Sequence, residues 1–541
     1  MLKNKSLHVS CFDMIGPRMI GPSSSHTAGA CRLAHWAQRI CGEQVEEVCF
    51  TLYGSFASTW KGHGTDRALL AGIMGYEVDD PIIREAYSQA AKNGLRYRFV
   101  EDSDTLTDHP NTVKMDICTR SAKRVSVLGE SIGGGRARIT SIDDIEVKFN
   151  GRLNSILVYQ SDKPGVLAHI TRCFAKRGLN IAFLNLFRRD KGHDAFTLVE
   201  SDEVIEVEVL SEIEAHPEVS RVLLLENEVS KSAESTAGAA TEDFLDEDGR
   251  VYCVASGQEM LEVCSDKQIS IAELMCRREM FLSSSSRQQV RREMKKMWEA
   301  MRTSVEEPLQ EQRRSMGGLI GGEAKQLLAS FETQPKLLGE VGSRALAYAL
   351  AVLEQNSSMG LIVAAPTAGA SGVLPATLYA LNEIDPIEEE ALIDALFVAA
   401  ALAFLIQLGF SLSGAEGGCQ AEVGSAAGMT AAAVVSLYKS EASPAFDAAS
   451  MALMNLLGLV CDPIGGLVEL PCQIRNGNGA VAALAAAQMA LAGVTSVLPI
   501  DEMIEVCKKV GDSLPAALRE TAKGGVAAAA SAQKCLGCGL H

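Results

Sequence analysis

The chain has 541 residues, so we expect several domains of roughly 100–200 residues each. Its formal net charge is −18 and its pI is near 5.1, which argues against nucleic acid as a partner. Hydrophobic residues make up 47% of the chain, enough for a large globular core. The fifteen cysteines follow no regular spacing and the first residues form no apolar leader, so we expect reduced thiols in the cytoplasm.

Residues 1–148 alternate short β-type runs with helical stretches. The runs VEEVCFTLYG, VKMDIC and RVSVLGESI are typical of strands, whereas RALLAGIMGY is typical of a helix. The sequence therefore predicts an α/β domain at the amino-terminal end.

A dense run of hydroxyl side chains lies in this domain, in the segment IGPSSSHTAGA. A Gly-Pro turn followed by serines offers hydroxyl and backbone donors to an anion, above all where a helix begins. An ordinary serine N-cap is the alternative, but the density of the run favours a binding site. The candidate residues are Ser23, Ser24, Ser25, His26 and Thr27.

Two further segments of the domain are candidates for a site. His63 lies between two glycines in KGHGTD, where little shields its imidazole, so it joins His26 as a candidate general base. The segment SIGGGRARI predicts either an anion-binding loop that uses Ser131, Gly133 and Gly134 or a plain tight turn. The sequence does not decide between these two interpretations.

Residues 153–228 predict a second domain, with strands and helices in the order βαββαβ. This order is typical of a ferredoxin-like fold, a small antiparallel sheet covered on one face by two helices. Residues 229–250 are poor in large apolar side chains and predict a linker. Residues 251–541 predict a mostly α-helical domain.

Two stretches of the helical domain, residues 395–415 and 476–500, contain no charged side chain. Both are long enough to cross a bilayer, yet they are rich in Ala, Gly and polar residues, and no Lys/Arg cluster follows them. We therefore expect buried helices of a soluble bundle and no membrane contact.

Three cysteines of the helical domain, Cys419, Cys461 and Cys472, lie in loops broken by Gly and Pro. No histidine occurs between His216 and His541, so a metal held by these thiolates has no local imidazole ligand. Three soft ligands suit an iron–sulfur cluster, and three ligands for a four-iron cube leave one iron open as a Lewis acid. We also expect the helix after Cys419 to lower the pKa of its thiol.

Other residues of the helical domain are secondary candidates. Thr367 lies between two prolines in AAPTAGASGVLPATL, which predicts a loop that lines a pocket. Arg475 suits either a fork-like contact with a substrate carboxylate or a structural salt bridge, and both interpretations stay open. In the tail CLGCGLH, the thiolate of Cys535 or Cys538 is a candidate to cap the open iron at rest.

These segments resemble those of the bacterial-type, iron–sulfur L-serine dehydratases (L-serine ammonia-lyases), over nearly the whole chain. IGPSSSHT and KGHGTDRA resemble the signature segments of that family's β domain. APTAGASGVLPATL, EGGCQAEVG and CDPIGGLVELPCQIRN resemble those of its α domain. Residues 153–228 resemble an ACT domain, a small-molecule-sensing module that occurs in some members.

The resemblance implies conversion of L-serine to pyruvate and ammonia in amino-acid catabolism, with a 4Fe-4S cluster on the three cysteines and no pyridoxal phosphate. The open iron would bind the β-hydroxyl group, and His63, or in second place His26, would remove the α-proton. Residues 23–27 and 131–135 would hold the carboxylate and ammonium groups. A small-molecule or ion effector at the ACT domain and a homodimer through ACT edge strands are also implied.

Two rival functions remain. A pyridoxal-phosphate dehydratase needs a Schiff-base lysine beside a Gly-rich phosphate site, and the Gly-rich segments of the helical domain hold no such lysine. An amino-acid sensor with a structural cluster would bind serine without turnover. It would also need a fourth fixed cysteine, which residues 251–500 do not obviously supply.

Overall fold

The computed structural model of the protein describes residues 9–151, 153–188, 192–225, 251–283 and 285–539. The predicted linker, residues 229–250, lies outside the described residues. Backbone contacts divide the chain into a first unit, Met1–Ser24 with Ala237–His541, and a second unit, Ser25–Thr236. This division differs from the predicted domain limits, because residues up to Ser24 group with the helical region.

The described residues form twelve strands. They are β1 Arg18–Ile20, β2 Val45–Tyr53, β3 Arg96–Asp102, β4 Thr112–Thr119, β5 Arg124–Gly133, β6 Arg136–Ile142, β7 Ile145–Phe149, β8 Asn154–Ser161, β9 Phe183–Arg188, β10 Asp194–Ser201, β11 Val219–Leu225 and β12 Leu361–Val363.

The described residues also form nineteen α-helices. They are α1 Gly29–Cys41, α2 Gly54–Thr59, α3 Thr65–Ile73, α4 Ala86–Asn93, α5 Val166–Lys176, α6 Val207–Glu214, α7 Gly257–Lys267, α8 Ile271–Ser283, α9 Arg287–Gln310, α10 Glu323–Ser330, α11 Gly339–Ser357, α12 Val373–Ile384, α13 Glu389–Gly409, α14 Gly414–Gly417, α15 Ser425–Tyr438, α16 Ala442–Asn455, α17 Cys472–Leu491, α18 Ile500–Ser513 and α19 Ala530–Gly539.

The second unit begins with a six-stranded sheet in the order β3-β2-β4-β5-β6-β7. Strands β2 and β3 are parallel and the other neighbours are antiparallel. Helices α1 and α3 pack on each other, and α1 also packs on β5 and β6. The predicted α/β domain is therefore confirmed, with its apolar alternation visible in β4, where Val113, Met115 and Ile117 are buried.

The ACT-like segment forms the predicted βαββαβ fold. Its sheet has the order β11-β8-β10-β9 with antiparallel pairs. Helices α5 and α6 cover one face, with Phe174 and Val209 among the residues of the core. The opposite face, through Leu157 and Leu198, lies against apolar residues of α1 and β7 in the same unit. Arg221 on β11 donates from Nη1 to the Cys41 carbonyl oxygen at the end of α1, at 2.8 Å.

The first unit is an assembly of helices, as predicted. Helix α9 begins after Ser286, which forms a capping box with Gln289 at the amino-terminal end of the helix. Helix α17 packs on α11 and α15, and α15 also packs on α13. The alanine-rich faces of these helices let their axes approach closely.

The two stretches without charged side chains, residues 395–415 and 476–500, differ in their secondary structure. Among the described helices, α13 is the one long and apolar enough to cross a membrane, and 78% of its most apolar window is buried. This confirms a buried core helix in the first stretch. The second stretch is not one helix, because α17 ends at Leu491 and the exposed Val494 and Val497 follow it.

The amino-terminal segment is bound to the helices of the first unit. Strand β1 pairs antiparallel with β12, which the sequence did not predict. The Glu279 carboxylate accepts hydrogen bonds from Ser10 Oγ at 2.8 Å and from the Cys11 backbone N–H at 2.7 Å. Arg278 Nη1 donates to the Val9 carbonyl oxygen at 2.6 Å, and its guanidinium stacks on Phe404.

We predict that Glu279→Ala lowers the free energy of unfolding of the first unit by about 3 kcal/mol, because two donors lose their acceptor and the buried Arg278 loses a neighbouring charge. A thermal melt followed by circular dichroism would measure the shift in Tm. Glu299→Ala, on the exposed face of α9, is the matched control and should leave Tm nearly unchanged. Equal Tm values for the two variants would contradict this role of Glu279.

Candidate functional site

The structure brings Cys419, Cys461 and Cys472 into one region of the first unit. Cys419 precedes the π-helical turn Gln420–Gly424, Cys461 lies in a loop, and Cys472 is the first residue of α17. Cys419 and Cys461 are buried, and Cys472 is partly exposed. Burial raises the pKa of Cys461 most, followed by the charges of Glu422 and Glu520. The charges of Cys419 and Cys472 raise it further, so the three thiols are close enough to perturb one another.

The thiols alone do not favour ionisation. Burial raises the pKa of Cys419 to about 12, and the negative charge of Glu422 adds to the effect, whereas Arg475 opposes it. A hydrogen bond from the Val423 backbone, just after Cys419, does lower this pKa, but burial outweighs it, so the net pKa is raised and not lowered as the sequence indicated. Holding these groups as thiolates requires a compensating positive centre.

The cysteines fit an iron–sulfur cluster by their donor chemistry. Across the part of the chain that the structure describes, no three His, Cys, Asp or Glu side chains gather closely enough to bind a single metal ion. A four-iron cube makes a different demand, because each thiolate binds its own iron. Three neighbouring thiols without an imidazole in their stretch of sequence meet that demand.

Arg475 makes an ion pair with Asp462, with 2.8 Å between Nη1 and Oδ1. Asp462 is only 2% exposed, and its Oδ2 accepts from the Val526 backbone N–H at 2.6 Å. Arg475 Nη1 also donates to the Val460 carbonyl oxygen at 2.8 Å. Of the two interpretations of Arg475, the structure contains the salt bridge, and contact with a substrate stays a prediction.

Glu422 is a further polar residue of this region, and it was not among the candidates predicted from the sequence. Its Oε1 accepts from Thr367 Oγ1 at 3.0 Å, and its Oε2 lies 4.0 Å from Cys461 Sγ. Burial and the negative charge of Glu520 raise the pKa of Glu422 to about 8. A signal was present, since Glu422 is an acid three positions after Cys419 in a stretch of small residues.

The first unit also contains Ser23 and Ser24, both buried. The Asn356 side-chain amide donates from Nδ2 to the Pro22 carbonyl oxygen at 3.1 Å and so fixes the turn that precedes them. Asn356 was not predictable from the sequence, because its partner is 334 positions away.

In the second unit, His26 and His63 lie side by side, with 4.6 Å between ring centroids. His26 Nδ1 lies 3.0 Å from Ser25 Oγ, and its Nε2 lies 2.9 Å from Ser55 Oγ. Burial, followed by the influence of His63 and His109, lowers the pKa of His26 well below its usual value. His26 is therefore a neutral imidazole.

The orientation of His63 follows from its neighbours. Its Nδ1 lies 3.3 Å from the Thr59 carbonyl oxygen, which can only accept, so the proton of the neutral ring belongs on Nδ1. Nε2 then carries the lone pair that a general base requires. Thr27 Oγ1 donates to the His63 carbonyl oxygen at 2.8 Å and joins the two histidine segments.

The third glycine-rich segment of the second unit is a hairpin turn between β5 and β6. Gly133, Gly134 and Gly135 all have positive φ angles, which glycine adopts readily. Ser131 Oγ donates to the Ser25 carbonyl oxygen at 2.7 Å. The structure thus contains the tight turn, tied to the serine run, and anion binding by these glycines stays a prediction.

The tail cysteines, Cys535 and Cys538, belong to α19. Their side chains lie outside those that the structure describes, so the capping of an iron by either thiolate stays a prediction.

Comparison with known families follows the same three parts of the chain. The family described as "Serine dehydratase alpha chain" matches residues 266–527, and "Serine dehydratase beta chain" matches residues 10–140. The family described as "ACT domain" matches residues 154–218.

Some relatives match nearly the whole chain as a single protein, whereas others match its two parts as separate alpha and beta chains. A Streptomyces coelicolor protein named L-serine dehydratase is 30% identical over 532 residues, which are 96% of this chain and 98% of the relative. The probable L-serine dehydratase alpha chain of Bacillus subtilis is 43% identical over 272 residues, 50% of this chain and 90% of that protein. The probable beta chain from the same organism is 38% identical over 214 residues, 39% of this chain and 96% of that protein. One polypeptide here combines parts similar to two separate chains.

We predict that His26 makes stability depend on pH below about 6.5, the usual pKa of histidine. Because its pKa is lower in the folded protein, the unfolded chain binds more protons there, so stability falls as the pH falls. The contribution of this one group is at most about 1.4 kcal/mol per pH unit.

This pH dependence can be tested by measuring Tm between pH 7.5 and pH 5 for the wild type and for His26→Asn. We expect Tm to fall less steeply with falling pH in His26→Asn than in the wild type. The exposed His193→Asn should keep the wild-type slope. If Tm changed with pH equally in all three proteins, His26 would not be the origin of the pH dependence.

Proposed function

Since the chain belongs to the L-serine dehydratase family, we propose that it is a lyase that converts L-serine to pyruvate and ammonia. The observation that carries the proposal is the end-to-end similarity to a single-chain relative of that name, over 96% of this chain. The grouping of three thiols in the helical unit supports it. The same similarity disfavours the sensor alternative, because that relative is named as an enzyme.

We propose further that Cys419, Cys461 and Cys472 hold a 4Fe-4S cluster. Their mutual proximity and the absence of histidine between His216 and His541 support this choice of cofactor over a single metal ion. When bound, such a cluster supplies a Lewis-acidic iron that polarises the hydroxyl leaving group. Arg475 lowers the pKa of Cys419 and so stabilises the thiolate that the cluster needs.

His63 is the proposed base. Its Nε2 accepts the α-proton of serine, and Thr59 keeps the other ring proton on Nδ1. The β-hydroxyl group then leaves and takes up a proton from solvent to become water, which gives aminoacrylate. His63 returns the α-proton to solvent, and aminoacrylate hydrolyses to pyruvate and ammonia. His26 is less suited, because hydroxyl groups lie within hydrogen-bond distance of both its ring nitrogens.

The serine run is proposed to bind the substrate carboxylate through Ser23, Ser24 and Ser25. Thr27 and Ser131 already donate to backbone carbonyl groups, so their role is to position this run.

Because cluster thiolates survive in a reducing environment, we propose a cytoplasmic location. Strand β9 lies at an edge of the ACT-like sheet, and this edge supports the proposal of a homodimer. We also propose that a small molecule or ion binds the ACT-like domain as an effector.

We predict that Cys461→Ser loses iron, sulfide and pyruvate formation together, because a serine hydroxyl is a poor ligand for iron–sulfur clusters. Anaerobic purification, iron and sulfide analysis and a pyruvate assay with L-serine would measure this. Cys264→Ser, a buried cysteine of α7, is the control and should retain all three. A full cluster in Cys461→Ser would refute the ligand assignment, and wild-type protein with a full cluster but no pyruvate formation would refute the dehydratase.

We predict that His63→Ala lowers kcat by a factor of roughly 10²–10⁴, the usual contribution of a general base, while iron and sulfide contents stay at wild-type values. Steady-state kinetics and metal analysis on the same preparation would separate the two effects. The exposed His193→Ala should keep the wild-type kcat. Wild-type turnover in His63→Ala would exclude this residue as the base.

A further inference from the structure

Gln420 directly follows Cys419 and is only 2% exposed. Its side-chain Oε1 accepts a hydrogen bond from the Gly458 backbone N–H at 2.8 Å, and its own backbone N–H donates to the Leu459 carbonyl oxygen at 2.9 Å. Gly458 and Leu459 lie three and two positions before Cys461. One residue therefore ties the segment of one cysteine to the segment of the next through two hydrogen bonds.

The nitrogen of the Gln420 amide is bound as well. Nε2 donates to the Cys507 carbonyl oxygen in α18 at 2.9 Å, and both groups are buried. The two ends of an amide differ, because its oxygen only accepts and its NH₂ group only donates. Gln420 thus satisfies a donor in the loop and an acceptor in the helix at once, which neither an ionised carboxylate nor an apolar side chain of the same length can do.

Glycines let the loop and the helix approach this residue closely. Gly418 has a φ angle of +76°, and a Cβ atom there would lie 2.8 Å from the Leu459 carbonyl oxygen. A Cβ atom at Gly511 of α18 would lie 3.0 Å from Gln420 Nε2. The backbone therefore leaves room for the Gln420 amide between the loop and α18.

These contacts fix the backbone on which the Cys419 thiol is carried. A hydrogen bond from the Val423 backbone reaches that thiol from the same turn. A cluster held by several thiolates needs their sulfur atoms at set separations. Residues that orient the ligands of a metal centre commonly change its affinity by about 10- to 100-fold when they are replaced.

Resting on the iron–sulfur cluster proposed above, we propose that Gln420 is a positioning residue that sets the separation of Cys419 and Cys461 before the cluster binds. It acts through the backbone that precedes Cys461 and does not itself bind iron. Because the two segments are already joined, less conformational entropy is lost when both thiolates bind one cluster.

The test compares Gln420→Met, which keeps the length and removes both side-chain hydrogen bonds, with Gln420→Glu, which keeps an acceptor for Gly458. Gln488→Met, at an exposed glutamine of α17, is the matched control. Hydrogen–deuterium exchange at residues 456–461 is measured by mass spectrometry on the full-length holoprotein and again after removal of iron. The rate of iron loss to a chelator is measured on the same anaerobic preparations.

We expect Gln420→Met to exchange faster at residues 456–461 in both forms, because the Gly458 N–H loses its acceptor, and to lose iron about 10-fold faster than the wild type. Gln420→Glu should keep the slow exchange of this loop and lose iron at a rate between those of Gln420→Met and the wild type. Gln488→Met should match the wild type in both measurements.

Four results would overturn the proposal. Wild-type exchange and iron loss in Gln420→Met would remove Gln420 as a positioning residue and leave the cluster intact. Faster exchange throughout the helical unit, in place of a local change at residues 456–461, would assign Gln420 to general stability. Equally fast exchange of the loop in Gln420→Glu and Gln420→Met would show that the bond to Gly458 does not hold it. A wild-type protein that binds no iron would remove the cluster and this role of Gln420 together.

Discussion

The ion pair between the buried Asp462 and the largely buried Arg475 connects the cysteine segments of the first unit. Asp462 follows Cys461 directly and Arg475 lies one helical turn after Cys472, so one charge pair fixes two of the three cysteine segments. The same guanidinium reaches the third segment through Cys419, and Asp462 also binds the backbone at Val526. Burying two charges is costly, and removing either partner leaves the other uncompensated, so the arrangement tolerates little change.

The charges around the thiols explain why their chemistry depends on a ligand. Arg475 is the positive group that lowers the pKa of Cys419, whereas Glu422 raises it, and burial outweighs both. The region is therefore built for negative groups that a positive centre must stabilise. Such a site gains its electrostatic balance when a positive centre binds.

Local patterns were predictable from the sequence, and long-range contacts were not. The ACT-like βαββαβ order and the capping box of α9 follow from neighbouring residues, so both were accessible. The pairing of β1 with β12 joins residues more than 300 positions apart, and a three-residue strand carries too little pattern to be recognised. The break after Leu491 escaped notice because a charge-free run does not reveal where a helix ends.

The same distinction applies to the site. The three cysteines stood out by residue type and context, and the structure groups them. Glu422 was overlooked because a lone acid in an Ala-rich stretch looks like any exposed charge until its neighbours are known. The raised pKa of the Cys419 thiol was not predictable, because burial, which the sequence does not show, outweighs the hydrogen bond from the backbone that follows it.

Helix α1 connects the ACT-like sheet with the segment that carries His26 in the second unit. His26 lies just before its first residue, and Arg221 of the ACT-like sheet holds the carbonyl group at its last residue. Thirteen residues of α-helix behave as a stiff rod of about 20 Å. The ACT-like strand β11 and the segment that carries the His26 imidazole are therefore joined through one rigid element, and their separation along it is set by the length of α1.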